Sequence, residues 1–397
     1  MSRFLYVWEL GTNLGHVGRF EPLAKVLGAG GHDVILAVRE TEPCARLLGG
    51  RFKWLQAPVV SERQILGSPL NYADILLRFG YDDPTRLRGI LVAWQEMMRS
   101  VQPELVLADH APTAILAART LGLPVMLLGT GFFCPPQRDP FPGLRPWELV
   151  ADDILAKRDA IALSTINTVL DYLKSARLDR LSDLFDVEEN AIVTLPELDH
   201  YPNRGLARYW GSIHSFSGTS SRHPWPPGHG KRLFAYLRIE HPHFRKVLQA
   251  VASAGSPAIM YVPNWSFEEA LPPNVLVIAE PTDMQVVTAE ADLAIVYGGT
   301  TTNAFLMAGK PVLCLPTHLE QFLLALRIAS LGTGLLISPE HHNPDIAGAF
   351  ARMLRDDNFA LNARAFASKY AFLDQATVIK NIANRAEEIV SGTRRTR

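Results

Sequence analysis

At 397 residues the chain is too long for one ordinary core, and two domains are the natural expectation. Hydrophobic residues make up 48% and charged residues 20%, with a formal net charge of −1. That balance fits a globular protein, gives no basic excess that would argue for nucleic acid, and leaves no acidic arm. The three cysteines, Cys44, Cys134 and Cys314, lie far apart in sequence and match no zinc spacing. They leave one thiol over under any pairing, so a reduced, cytoplasmic protein is expected. Residues 1–10 are too short and polar for a signal peptide, and no apolar run reaches spanning length. A transmembrane segment is therefore not expected, while peripheral membrane contact stays open.

Residues 3–8 are β-rich, and 9–18 form a polar, glycine-rich turn. Phe20, Leu23, Ala24, Val26 and Leu27 then show helical spacing, ending at the glycines of 28–31, and 33–38 read as a second strand. This is a βαβ start with a right-handed crossover. Gly11, Gly15 and Gly18 do not have the spacing of the dinucleotide fingerprint, so no NAD or FAD is expected. His16 sits in this first turn, as either a surface or capping residue or a functional one. Residues 41–100 read as helices and loops, with broad apolar faces at 70–79 and 85–98 that suit a core. Residues 103–109 form a strand that ends on Asp109, 111–121 a helix, and 123–128 the next strand. Asp109 is placed either to cap that helix or to steady an imidazole, and His110 competes for either role. The aromatic, proline-rich stretch 129–146 follows a strand and can overhang the same edge. Phe132 and Phe133 either wall an apolar acceptor pocket or anchor the loop.

Residues 147–185 read as helical and 191–194 as a strand. The stretch 213–230 is rich in Ser, Gly, Pro and His and is the clearest linker. Its histidines at 214, 223 and 229 have no ligand spacing, so no metal site is expected. Beyond it come a strand at 232–237 closed by Arg238, a helix at 242–252, and strands at 258–262 and 275–278. The apolar run 292–296 leads into Tyr297, Gly298, Gly299, Thr300, Thr301, Thr302 and Asn303. Two glycines allow close approach to the backbone, and threonines at a helix start either cap free N–H groups or help cradle an anion. A further strand at 311–316 precedes Glu320 and Gln321. A carboxylate and an amide at the carboxyl edge of an open α/β sheet suit sugar hydroxyls. Residues 358–397 read as helical.

The run from Tyr297 through Gly309-Lys310-Pro311 to Glu320-Gln321 resembles the donor signature of GT-B glycosyltransferases of the UDP-glycosyltransferase-like type, bacterial macrolide and plant flavonoid enzymes among them. Two positions depart from that pattern: Tyr297 stands where a His is usual, and Phe305 stands where many members carry a Glu for the ribose. Gly15-His16-Val17, Pro22-Leu23-Ala24 and Gly31-His32-Asp33-Val34 resemble the family's opening, and 103–109 its Asp-terminated strand. Tyr209-Trp210-Gly211 resembles the close of its first domain.

The resemblance implies two Rossmann-like α/β domains facing across a cleft. An acceptor domain would span 1–212, a linker 213–230, and a nucleotide-sugar domain 231–375. Helix 376–397 would return to the first domain. It implies His16 as general base with Asp109 behind it. Tyr297, Gly298, Gly299, Thr300, Thr301, Thr302, Glu320 and Gln321 would hold a nucleotide-diphosphate sugar; Arg238, where the family commonly has a small residue, is a departure that either adds a charge to the diphosphate or is simply exposed. The implied reaction is inverting transfer to a hydroxyl of a small or lipophilic acceptor. With no Asp-x-Asp motif, the reaction is expected to need no metal, and no cofactor beyond the nucleotide sugar. Tyr297 and Phe305 keep a non-catalytic binding or regulatory homologue in view, and a nucleotide-sugar epimerase on the same two-domain plan is the other alternative.

Overall fold

The computed structural model describes residues 1–11, 15–63, 67–213, 222–266 and 270–396. Two compact units account for the chain: Met1–Gly211 with Ala376–Arg397, and Ser212–Gln375. Residues 214–221 of the expected linker lie outside the described residues, as do 12–14 of the first turn.

The first unit contains β1 (Arg3–Trp8), α1 (Gly15–Ala29), β2 (Asp33–Val38), α2 (Thr41–Leu48), β3 (Lys53–Gln56), α3 (Tyr72–Leu76) and α4 (Pro84–Val101). It continues through β4 (Leu105–Asp109), α5 (Pro112–Thr120), β5 (Val125–Gly129), α6 (Asp152–Tyr172) and β6 (Glu189–Ile192). Its sheet is parallel in the order β3-β2-β1-β4-β5-β6. Every residue of β4 and β5 is buried, as expected of strands covered on both faces.

Three features of this unit depart from the sequence expectation. Helix α1 starts at Gly15 rather than beyond Gly18, and carries Pro22 inside it. Its buried face reaches back through Phe20 to Val17 and His16, and that burial outweighs the backbone hydrogen bond Pro22 cannot make. Strand β3, in a stretch whose sequence reads as helices and loops, is a short edge strand on β2 whose Lys53, Leu55 and Gln56 are exposed. It has no alternating apolar face, so periodicity could not reveal it. The helical stretch expected at 147–185 resolves into α6 and a separate short turn at Leu181–Phe185.

The second unit contains β7 (Leu233–Tyr236), α7 (Phe244–Ala254), β8 (Ala258–Tyr261), β9 (Val275–Ile278), α8 (Met284–Glu290) and β10 (Leu293–Val296). It continues through α9 (Thr300–Met307), β11 (Val312–Cys314), α10 (Leu319–Ser330), β12 (Gly334–Leu336), α11 (Ile346–Arg355) and α12 (Asn358–Lys369). The parallel order β12-β11-β10-β7-β8-β9 repeats the first sheet's order strand for strand. On one of its faces Leu233, Ala235, Met260, Ile295 and Leu313 pack with Val247, Val251, Phe350 and Met353 of α7 and α11.

The helix expected over 358–397 breaks at 370–374, and α13 (Gln375–Thr396) ends the chain. Helix α13 is tied into the first unit, where Arg385 Nε donates to Glu189 Oε2 at 2.7 Å and Glu387 Oε1 lies 3.2 Å from His32 Nε2.

Both units are therefore Rossmann-like, with strand order reversing between β1 and β4 in the first and between β7 and β10 in the second. In open parallel sheets, ligands bind at the carboxyl ends of strands at such a reversal.

Candidate active site

The first reversal brings His16 and Asp109 together. Trp8 and Asp109 are register partners at the ends of β1 and β4, and His16 opens α1 directly after the β1 turn. His16 Nδ1 lies 3.0 Å from Asp109 Oδ2, with both side chains buried. Trp8 stacks on the imidazole at 4.8 Å between centroids, and Phe133 lies 5.3 Å away. Gly11 comes up against the opposite nitrogen. It has φ +81°, and a Cβ there would sit 2.9 Å from His16 Nε2. Only glycine both adopts that conformation and leaves Nε2 room.

Asp109 has more partners than the sequence suggested. Arg19 Nη2 donates to Oδ1 at 2.9 Å and to Oδ2 at 2.8 Å, Arg19 Nε donates to Oδ2 at 3.1 Å, and Tyr6 Oη donates to Oδ2 at 2.8 Å. Arg19 Nη2 is also 3.0 Å from His16 Nδ1. Sequence reasoning missed both Arg19 and Tyr6. The available signals were that Arg19 is three residues from His16 on one helix face, and that Tyr6 and Trp8 share a strand face. Burial pushes the Asp109 carboxyl up, but Arg19, His16 and Tyr6 outweigh it and hold the carboxyl at about 2. For His16, burial dominates and lowers the imidazole below its ordinary value, with Asp109 opposing and Arg19 reinforcing. The ring is therefore neutral at neutral pH. A carboxylate beside Nδ1 favours the tautomer with the proton on that nitrogen, which places the lone pair on Nε2.

The capping alternative for Asp109 is resolved by Glu9. Thr113 N and Ala114 N, at the start of α5, donate to Glu9 Oε2 at 2.8 and 3.3 Å. The fully buried Glu9 carboxyl is raised to about 7 by that burial, against the hydrogen bonds from Thr113 and Ala114.

Phe132 and Phe133 form a short turn after β5 and are both buried. Phe133 stacks on His110 at 4.2 Å, and Phe132 meets the same ring edge-on at 6.5 Å. His110 has φ +51°, is buried, and neither of its ring nitrogens has a hydrogen-bond partner. Burial holds it neutral. The structure thus adds His110 as a polar group among the aromatic rings beside His16.

In the second unit the turn after β10 lies against the start of α10. Gly298 has φ +104°, and a Cβ there would meet the Gln321 carbonyl oxygen at 2.7 Å. Gly299 precedes α9 with no side-chain cap, while Thr300 and Thr301 are half-buried. That leaves N–H groups at the positive end of a helix. Thr302 is fully buried, on the inner side of the helix. Asn303 Nδ2 donates to Ser212 Oγ at 3.2 Å. Gln321 Oε1 accepts from Thr317 N at 2.9 Å and lies 3.1 Å from Thr317 Oγ1, while Glu320 is half-buried in the first turn of α10.

Across the reversal, Arg238 N donates to Tyr297 Oη at 2.5 Å, and the Arg238 side chain is exposed. Burial raises the Tyr297 hydroxyl to about 12, so it stays protonated. Phe305 is fully buried and stacks on Phe234 at 5.7 Å. A side chain at that position of α9 points into the core.

Among the described residues, no group of three or more His, Cys, Asp or Glu side chains is placed to hold a metal ion. Among the described residues, no helix is long and apolar enough to cross a membrane. Cys44, Cys134 and Cys314 are buried free thiols.

No family model matches the chain. Among curated proteins it is 24% identical over 392 residues to a PGL/p-HBAD biosynthesis glycosyltransferase of Mycobacterium tuberculosis, covering 93% of this chain and 89% of that one. Among solved structures it is similar to the spinosyn rhamnosyltransferase SpnG, with a TM-score of 0.69 and 19% identity over 97% of this chain and 100% of that one. It is also similar to the glycosyltransferase VinC in complex with dTDP, with a TM-score of 0.69 and 19% identity over 98% and 99%. SnogD from Streptomyces nogalater gives a TM-score of 0.65 and 18% identity over 96% and 99%.

The chain has the GT-B fold. Its relatives by sequence and by structure are glycosyltransferases. In this GT-B protein the two strand-order reversals carry the two groups of residues just described, one to each Rossmann-like unit.

Proposed function

We propose that this GT-B protein transfers a sugar from a nucleoside diphosphate sugar to a hydroxyl group of a small or lipophilic acceptor, with inversion at the anomeric carbon. The observation that carries this reading is the buried His16–Asp109 pair, 3.0 Å apart, at the strand-order reversal of the first sheet. A neutral imidazole with Asp109 on Nδ1 is suited to take a proton at Nε2. The acceptor oxygen attacks the anomeric carbon as its proton passes to His16. The bond to the diphosphate breaks, and the nucleoside diphosphate leaves with the electron pair.

The leaving charge is met by the N–H groups that open α9 at Thr300 and Thr301, with Tyr297 as a hydroxyl donor and Arg238 as a nearby cation. Gly298 and Gly299 let the diphosphate approach the backbone, and Glu320 and Gln321 orient the sugar. Phe132 and Phe133 line the acceptor side. A thymidine-linked donor is favoured by kinship. VinC was solved with dTDP, and SpnG was solved both with thymidine diphosphate and with spinosyn aglycone. The nucleotide sugar is a co-substrate, and no metal or resident cofactor enters the scheme.

The test is His16→Ala, assayed for release of nucleoside diphosphate, with thermal shift on TDP and UDP in parallel. Loss of a general base is expected to lower the rate by about 10²–10⁴-fold while the diphosphate still raises the melting temperature. Transfer at the parent rate would overturn the base assignment. The absence of any shift with either diphosphate would overturn the donor assignment.

A further inference from the structure

The element that the transfer reading leaves unexplained is Arg19. Its guanidinium is buried and forks onto both oxygens of a fully buried Asp109, 2.8–2.9 Å from Nη2. From the same atom it approaches His16 Nδ1 at 3.0 Å. An Asp–His pair alone carries one negative charge when the imidazole is neutral and none when it is protonated. With Arg19 in place the cluster is neutral when the imidazole is neutral and carries a positive charge when it is protonated. In a buried site the second protonation is the harder one.

We propose that Arg19 is a positioning residue that neutralises Asp109 and keeps His16 a weaker base than an Asp–His pair would be. Asp109 then serves chiefly to orient the ring. The proposal rests on the transfer reading for its purpose, but not for its test.

Among the described residues, the charged and titratable groups that face His16 are few. Asp109 and His110 come from the end of β4, Tyr6 from β1, Arg19 from α1, and Glu40 from the residue before α2. Trp8 and Phe133 supply the uncharged walls. Of these groups only Arg19 is a permanent cation. Arg19 also bears on the tautomer. A guanidinium can only donate, so it would occupy Nδ1 only if the ring proton sat on Nε2, the form unable to act as base. Both carboxylate oxygens of Asp109 lie within reach of Arg19 and engage its donors, which leaves the Nδ1 proton directed to Asp109 Oδ2.

The experiment is a pH titration of the His16 ring by NMR on full-length protein carrying ¹³C-labelled histidine. The His16 signal is identified by its disappearance in His16→Gln. In the parent, His16 is expected to titrate below the ordinary value of about 6.5. In Arg19→Gln its midpoint is expected to rise by about one unit or more, a tenfold gain in proton affinity. The acidic limb of kcat/KM moves up with it. Arg19→Lys, which restores the charge without the fork, is expected to bring the midpoint most of the way back.

A purely structural Arg19 would change stability in both variants and leave the His16 midpoint where it was; that result overturns the proposal. So does a parent midpoint at or above about 7, which can be read even if Arg19→Gln fails to fold. A shifted midpoint in a protein that transfers no sugar would uphold the role of Arg19 and remove the transfer reading. Transfer with an unmoved midpoint would do the reverse.

Discussion

Replacing Gly298 by Ala tests whether the turn after β10 is held against the start of α10 as tightly as the geometry requires. Gly298 has φ +104°, outside what an L-residue adopts cheaply, and its added Cβ would sit 2.7 Å from the Gln321 carbonyl oxygen. The first effect costs about 1–3 kcal/mol. The second is an overpacking against backbone, which cannot rotate away, and adds about 1–3 kcal/mol. A destabilisation of at least about 2 kcal/mol follows. For a unit of this size that lowers the melting temperature by at least about 4 °C, at roughly 2–4 °C per kcal/mol. Gly299→Ala is the matched control: a Cβ there meets nothing within 4 Å and its φ is −131°. Its expected cost is under about 1 kcal/mol, that of a poorer helix cap. The assay is thermal unfolding of both variants, with and without nucleoside diphosphate. If Gly298→Ala melts within about 1 °C of Gly299→Ala, the close contact is not present and the reasoning fails.

Two further predictions concern the first unit. The Glu9 carboxyl, raised to about 7 in the fold, binds a proton there that it loses near 4.5 when unfolded. A raised carboxyl contributes stability that is present below about pH 4.5 and is lost as pH rises through 7. Glu9→Gln keeps an oxygen for Thr113 N and Ala114 N. It is expected to match the parent near pH 5 and exceed it by about 2–4 kcal/mol near pH 8; parallel stability curves from urea unfolding would refute this. His110 has two ring nitrogens without partners, and a buried unpaired polar group costs about 1–3 kcal/mol. His110→Phe keeps a ring against Phe133 and is expected to fold within about 1 kcal/mol of the parent, because the strain of Phe at positive φ offsets the gain. If His110 holds the acceptor, KM for the acceptor rises while TDP binding is unchanged; an unaltered KM would exclude that contact.

What the sequence made legible follows from where the physics is local. Strands β1, β4 and β10 are continuous apolar runs, so burial on both faces announces them, and each ends on or next to a residue of the site. The pairing of His16 with Asp109 was reachable only through resemblance, because ninety-three residues separate them and parallel register is what closes the gap. Strand β3 was hidden because an exposed edge strand has no pattern to show. Arg19 was hidden for the opposite reason. A charged residue on a helix reads as solvated until the fold shows that it is buried with a partner. Phe305 looked like a missing ribose ligand, yet its side chain stacks on Phe234 in the core.

The two units are built on one strand order yet place different groups of residues at its reversal. A parallel sheet with its order reversing at one point presents two strand ends with diverging connections, and whatever the sequence places there is held by the most buried part of the fold. In the first unit those ends carry a buried charge cluster, Asp109 with Arg19 and Tyr6, that fixes one imidazole. Burial makes each member costly alone, so removing Asp109 would leave Arg19 an uncompensated cation at about 3–5 kcal/mol. In the second unit the corresponding ends carry glycines, a helix start and a tyrosine hydroxyl tied to Arg238 N, a surface of dipoles rather than of paired charges. A proton acceptor needs a defined tautomer and a tuned affinity, which paired charges supply. A diphosphate needs several weak donors and open backbone, which glycines and a helix start supply. The division of residue types between the two sheets is thus what the proposed base on one unit and the proposed anion site on the other would require, and Arg19→Gln and Gly298→Ala strike the two requirements separately.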